Sequence, residues 1–458
     1  MKQIVFVIFV SIIFLIPNYQ SDLESIPNEG DEIQYWEIAY GIFNSGEYKR
    51  EVVNNNLDEY SKLELGYRRG EPVYPLIVAS IMRVQNFSND ISIEKCLSIS
   101  CDVFDEAVKL LVFLAYLMKI FIVMLVFKNL NRRFSTFLSI LLSITLLLML
   151  PNEYKDLITV FLFTLGLLSY YKQKNLSLFI FSILPLSNAV FLYLLPFVFT
   201  IYFYHKKESL KKWFAVILVL LLPSFMWMTR NYLTVNEFSI TGRAAEVLSI
   251  RAEYSTNSFE QIRAGYIFYT PAKPFVFGSI QGKLWTYVID SGADVVYNRS
   301  NSNSSYKLAK NLTGVVGSRL ERASFESKTY TEQQKILNTV SNDLIKENFS
   351  QHLLLSTVFG YRGIFPTINF DFTEFYSFPE NITLLLKEIF SFLRLFFIPY
   401  ALVKSLISLV NNKVSLSSLF LIILWGFFAF FTHFIPRYAT YLLIPAVLFI
   451  ANIDKEEV

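Results

Sequence analysis

Two adjacent carboxylates, Asp31 and Glu32, open the string Gly30-Asp31-Glu32-Ile-Gln-Tyr35-Trp36-Glu37-Ile-Ala39-Tyr40. Ile33, Trp36, Ala39, Tyr40 and Phe43 recur behind them at helical spacing, which predicts an amphipathic helix with the acids in its first turn. The backbone dipole favours negative charge there, and a carboxylate so held can act as general base toward an acceptor hydroxyl or amine. The plainer role is that Asp31 caps the helix, a task Asp performs well.

A second set of residues is cationic. Arg230 and Arg437 each fall within about one turn of the end of an apolar run, and the planar guanidinium fork suits phosphate oxygens. Arg and Tyr at such positions, Tyr438 included, also commonly anchor a helix to lipid headgroups. The short stretch Glu153-Tyr-Lys155-Asp156 and the lone His433 add side chains that could touch a donor or a divalent metal. A solvated turn and a solitary histidine are the plainer readings. No Cys/His set has zinc spacing, and a metal is admitted rather than required.

These residues need elements to position them, and composition says which. The chain is 458 residues long, 53% hydrophobic and 17% charged, with mean hydropathy +0.41. Soluble domains carry about 25% charged residues, and here the shortfall is gathered into long Leu/Ile/Phe/Val blocks. A hydrocarbon core about 30 Å thick asks about 17–25 apolar residues of a helix. The expectation is therefore an all-α polytopic membrane protein with about ten transmembrane helices, near 4–17, 107–127, 134–150, 157–171, 176–186, 189–204, 213–228, 384–403, 415–431 and 438–450. The first of these also has features of a cleavable signal, but it exits through Pro17-Asn-Tyr-Gln rather than small residues and reads as an uncleaved span. The net charge of +3 is too small and scattered for a nucleic-acid partner.

Lys and Arg cluster at Lys128 to Arg133, Lys172 to Lys174, Lys206 to Lys212 and Lys404 to Lys413. Basic short loops face the cytoplasm, which puts the N-terminus inside and two long segments, 18–106 and 229–383, outside. The domain reading follows: an N-terminal transmembrane module over 1–228 with a catalytic first outer loop, an outer region over 229–383, and C-terminal transmembrane helices over 384–458. Within the outer segments, residues 74–84 predict an interfacial or re-entrant helix entered through Pro72 and Pro75, and 331–348 and 352–359 predict surface helices. Pro185-Leu-Ser-Asn188 predicts a tight break between two short helices, and Ser300 to Ser305 a mobile linker. Cys96 and Cys101 lie in the first outer segment, where disulfides persist. Lys119 falls about 13 Å inside its span at 1.5 Å per residue. A charge there costs about 2.5–3.5 kcal/mol to insert and favours the bundle interior.

Four stretches, in order, resemble the C-type superfamily of polyprenyl-phosphate-dependent glycosyltransferases, the group of protein mannosyltransferases and lipid A aminoarabinose transferases. They are the Asp31-Glu32 string through Gly46 and Tyr48, the segment Tyr67-Arg-Arg-Gly-Glu-Pro72-Val-Tyr74-Pro75-Leu, the run Arg230-Asn231-Tyr232-Leu233 with Phe238, and His433-Phe-Ile-Pro-Arg437-Tyr438 followed by Pro445. The resemblance implies that Asp31 activates the acceptor, with Glu32 supporting it or binding a cation. Arg437 and Arg230 would meet the donor phosphate, and Tyr438 would accompany them. In the lipid A branch the proline-rich segment commonly reads Glu-Lys-Pro, whereas here it reads Gly70-Glu71-Pro72. Arg68 or Arg69 would have to carry the charge of the missing lysine.

The implied activity moves a sugar from a polyprenyl-phosphate donor to a lipid, glycan or protein acceptor. It would take place at the outer face of a bacterial plasma membrane, in contact with membrane lipids. Two rival readings remain: a surface-polysaccharide polymerase or ligase, and a transporter or flippase without covalent chemistry. The second would draw on Lys119, although no internal repeat of the transporter kind is visible.

Overall fold

The structure is a computed structural model, and it describes residues 2–25, 32–51, 58–85, 102–130, 134–270, 278–365, 379–394, 397–432 and 436–451. Among the described residues every regular element is helical. Asp31, Cys96, Cys101 and His433 lie outside them, as does the side chain of Arg437. The chain divides into two compact units. One comprises Met1–Thr241, Ile368–Phe420 and Leu443–Val458, and the other Gly242–Thr367 with Leu421–Leu442.

In the first unit, local signals start and stop the helices. Ser135 and Ser209 each accept a backbone N–H of the first turn, from Leu138 and Lys212, at the starts of Thr136–Met149 and Leu210–Val235, as N-caps do. The second of these helices ends on Asn236 in the left-handed region, φ 58°, a conformation Asn tolerates.

Among the described residues two helical stretches are long and apolar enough to cross a membrane, Glu106–Leu130 and Leu210–Val235. The other apolar helices described, among them Val73–Val84, Val190–His205 and Leu416–Phe431, are shorter. On Leu210–Val235 the side chains of Phe214, Leu218, Leu222, Phe225 and Met226 are more than half exposed. A continuous apolar face of that kind marks a surface made for lipid or for a partner.

Aromatic rings fill the unit's interior. Phe420 packs against Phe163 at 5.1 Å and Phe181 at 5.7 Å between ring centroids. The helices Tyr154–Tyr170 and Lys174–Ser187 can close together because Gly166 has no side chain. A Cβ there would stand 2.9 Å from the Phe181 ring. Elsewhere Ile144, Leu148, Phe390 and Leu393 form a buried cluster with Phe14 against it.

Two sequence expectations in this unit need correction. Lys174–Ser187 continues through Pro185 and ends at Asn188, so the break falls after the proline rather than at it. Pro185 sits in the last turn, where the helix has little left to lose. Glu32–Ser45 is not one-faced either: every residue from Tyr35 to Ile42 is buried. Its polar members are buried because partners satisfy them, as Glu37 is by an ion pair with Arg50.

In the second unit, Ala244–Ser255 packs on Tyr330–Glu347 through Ala245, Ala252, Leu337 and Leu344. Capping boxes start Phe259–Phe268 (Ser258 with Gln261) and Tyr330–Glu347 (Thr329 with Glu332). Phe349–Gly363 follows directly, and Trp425 donates its indole N–H to the Gly360 carbonyl at 3.0 Å. The expected linker at Ser300 to Ser305 is instead built in. Ser304 is fully buried and caps Ser305–Lys310 by accepting the Lys307 N–H. A run rich in Ser and Asn reads as linker from composition, but its side chains can serve as caps and turns.

Candidate functional site

The corner between Glu59–Arg69 and Val73–Val84 is the centre of the site in the first unit. Gly70 takes φ +80° there, a conformation glycine adopts without steric cost, and its N–H returns to the Gly66 carbonyl. A Cβ on Gly70 would stand 2.3 Å from that of Thr241. Pro72 precedes the next helix, leaving Glu71 in the turn with its side chain directed inward, 8% exposed. Three other elements bind this corner. Tyr35 donates to Glu71 Oε2 at 3.3 Å, Tyr48 to the Glu71 carbonyl at 3.3 Å, and Trp227 to the Gly70 carbonyl at 3.1 Å.

Charge in the corner is balanced by an unexpected residue. Lys155 Nζ lies 3.1 Å from Glu71 Oε2 and above the Tyr35 ring. Burial works against its charge, but Glu71, Tyr35 and Asp156 outweigh burial and hold the ammonium well above the usual lysine range. Glu32 joins the same network, accepting the Tyr74 hydroxyl at 2.5 Å, and the Tyr74 ring meets Tyr35 edge-on at 5.5 Å.

Arg230 closes the opposite side. It donates through Nη2 to the Tyr48 carbonyl at 3.1 Å and through Nη1 to Asn231 at 3.0 Å. Its guanidinium stands 5.5 Å from the Tyr48 ring and 5.2 Å from the Trp227 ring. Asn231 is fully buried and donates to the Ser239 and Ile240 carbonyls, which folds the chain back toward Thr241. Beside these groups, burial pushes the Glu37 carboxyl up while Arg50 pulls it part of the way back.

The residues singled out from sequence separate as follows. Glu32 and Arg230 are both in the network. Arg69 is buried and donates to Gln34, whereas Arg68 is exposed and offers its carbonyl to Thr241. Asp156 is buried next to Lys155, and Glu153 is exposed at the start of its helix. The solvated-turn reading therefore fails for Tyr154 to Asp156. Among the described residues no group of three His, Cys, Asp or Glu side chains could hold a metal ion. Tyr438 belongs to the second unit, in the 3-10 turn Pro436–Ala439, with its ring stacked on Phe428 at 5.1 Å.

Sequence reasoning missed Glu71, Tyr35 and Tyr48 as site residues, and it touched Lys155 only as a member of the Glu153 to Asp156 stretch. The available signal was polar type in an apolar setting: buried charges must be paired, and Lys155 and Glu71 both border apolar runs. It also missed Arg251 in the second unit, whose side chain is fully buried. Arg251 donates to the carbonyls of Thr432 at 3.0 Å and His352 at 3.3 Å, and to the Ser356 hydroxyl.

Compared with protein-family models, curated proteins and solved structures, the chain matches none.

Proposed function

We propose that the chain is a multi-pass membrane glycosyltransferase of the C type, with about ten spans. It moves a sugar from a polyprenyl-phosphate donor to an acceptor outside the cytoplasm. One observation carries this reading: three separate stretches with the family's pattern meet at a single corner. Glu32 bonds Tyr74 of the proline-rich segment, Tyr48 bonds Glu71 of that segment, and Arg230 bonds Tyr48. The alternation of basic and neutral short loops supports the orientation. The apolar outer face of Leu210–Val235 supports the membrane setting.

In the proposed reaction the acceptor oxygen or nitrogen attacks the anomeric carbon, and the bond from that carbon to the phosphate oxygen breaks. The acceptor proton passes to the Asp31 carboxylate, and polyprenyl phosphate departs with the bonding electron pair. Glu32, anchored by Tyr74, positions the acidic pair. Arg230 meets the phosphate, and Lys155 adds a cation where the proline-rich segment lacks its lysine.

The experiment is transfer of radiolabelled sugar in membranes, comparing wild type with Asp31→Asn at matched expression. Label passing from carrier to product in wild type alone supports the transferase and its base. Equal transfer in both removes Asp31 from the mechanism. Single sugars in the product argue against the polymerase and ligase alternatives, whereas translocation of lipid-linked sugar without transfer would favour the transporter. That rival draws on Lys119, whose buried ammonium donates to Asn152 at 3.0 Å.

A further inference from the structure

Two arginines of the second unit, Arg299 and Arg362, lie against tyrosine rings with no carboxylate beside them among the described residues. Arg299 lies over the Tyr306 ring at 4.0 Å, and Arg362 over the Tyr269 ring at 4.3 Å. Among the described residues neither makes an ion pair, although exposed pairs such as Arg319 with Glu347 form close by in sequence. The Nε of each is buried with no hydrogen-bond partner among those residues. Arg362 Nη1 donates to the Tyr269 hydroxyl at 3.2 Å, which leaves the hydroxyl hydrogen of Tyr269 to be given elsewhere. Behind them stands a wall of buried tyrosines. Tyr254 and Tyr297 stack at 5.7 Å, and Tyr269 meets Tyr297 edge-on at 5.2 Å. Tyr297 fits because Gly265 offers no Cβ, which would stand 2.9 Å from its ring. Arg299, Arg362, Tyr269 and Tyr306 keep part of their surface open to solvent.

Arg299 and Arg362 lie within electrostatic reach of each other, and two like charges with no counter-charge among the described residues are unfavourable by themselves. Burial lowers the pKa of Arg299, and the charge of Arg362 lowers it further. An unpaired guanidinium partly out of water costs desolvation that only an anion or a set of acceptors can offset, and the tyrosine rings offer only their faces and hydroxyls. Two positive charges match a phosphate carrying about −1.5 to −2 at neutral pH better than a singly charged carboxylate. The guanidinium forks with an adjacent hydroxyl donor suit its oxygens.

We propose that Arg299 and Arg362, with the Tyr269 hydroxyl, form a phosphate-binding site in the second unit, independent of the transferase reading. The phosphate comes either from a soluble ester or ion, or from a lipid headgroup.

The test uses the full chain in nanodiscs, following the thermal midpoint at constant ionic strength as chloride is replaced by inorganic phosphate. Wild type in phosphatidylcholine discs is expected to show a saturable rise if the source is soluble. A rise only in discs carrying phosphatidic acid assigns the headgroup. In either case Arg299→Gln and Arg362→Gln should weaken the response about tenfold or more, the scale of one charge-assisted bond. In chloride alone they should melt at or above wild type, because the repulsion is relieved. If a Gln variant does not fold, Arg299→Lys and Arg362→Lys keep the charge and lose the fork, and should show the same weakening to a lesser degree. A wild type that responds to neither phosphate nor phosphatidic acid overturns the proposal, as does a response that the variants retain unchanged.

Discussion

Lys155 Nζ stands 3.1 Å from Glu71 Oε2, so the start of one apolar helix is fastened to the corner between two others by a largely buried ion pair. Removing one member of such a pair leaves the other charge uncompensated, at about 3–5 kcal/mol. Glu71→Ala should therefore lower the thermal midpoint steeply, and its loss of the Tyr35 hydrogen bond adds to the effect. Replacing both partners, Glu71→Gln with Lys155→Met, should recover much of the loss. A double-mutant cycle reads the coupling directly, and additive losses would show that the pair is not coupled.

The sign of the Lys155 shift gives a second check. A lysine held above its unfolded value contributes stability that is present below the unfolded pKa and lost only as pH rises through the folded one. With the folded value raised, this contribution should persist through the alkaline range in which exposed lysines titrate. Reductive methylation at pH 9 should label the exposed Lys212 readily and Lys155 slowly; equal labelling would show that Lys155 is neither buried nor paired.

Gly70 and Gly46 make a natural contrast. Both sit at positive φ, +80° and +75°, but a Cβ meets Thr241 at the first and nothing within 4 Å at the second. Gly46→Ala should incur only the backbone strain of a left-handed residue, about 1–3 kcal/mol. Gly70→Ala should lose more, because Thr241 and the chain behind it must move. Thermal midpoints of the two variants measured side by side decide this, and equal losses would mean that the close approach to Thr241 has no energetic weight.

Much of the architecture could be read from the chain before any coordinates. Helical periodicity marked Glu32–Ser45 and Tyr330–Glu347, and a short apolar run entered through prolines marked Val73–Val84, because apolar spacing is a local property. The partners of buried polar groups are non-local, and that is why they were not legible. Nothing in the string around Glu71 says that Lys155 will meet it, nor does Tyr48 announce that its carbonyl will receive Arg230. The Ser300 to Ser305 stretch failed for a related reason: composition describes what a segment can bond to, and only the fold supplies the partner. Arg299 and Arg362 went unremarked because an arginine is ordinary in sequence, and the lack of a carboxylate beside it among the described residues is visible only in space.

Arg230 can be separated from a generic anchor by substitution. Arg230→Lys retains charge but gives up the planar fork and the broad contact with the Tyr48 and Trp227 rings. On the proposed mechanism it should raise the donor KM about tenfold with a small change in thermal midpoint. An unchanged KM would leave Arg230 as a structural clamp on the Tyr48 carbonyl.

His352 makes stability depend on pH in a direction that can be worked out. Burial first, and the neighbouring Arg251 charge second, lower its pKa from 6.5 to about 4. Its Nδ1 accepts from Arg251 Nε at 3.4 Å, which requires the neutral ring with its proton on Nε2. The unfolded chain takes up a proton near pH 6.5, and the folded chain does not do so until about pH 4. Between those values the unfolded state holds more protons, so stability rises with pH and falls as acid is added. Below about pH 4 both states are protonated and the contribution levels off. The thermal midpoint should thus decline from pH 7 toward pH 4, and His352→Gln, which keeps an acceptor for Arg251 but cannot titrate, should flatten that decline. An unaltered slope in the variant would assign the acid sensitivity to other groups; the buried Glu37, whose pKa burial raises, would act in the opposite direction.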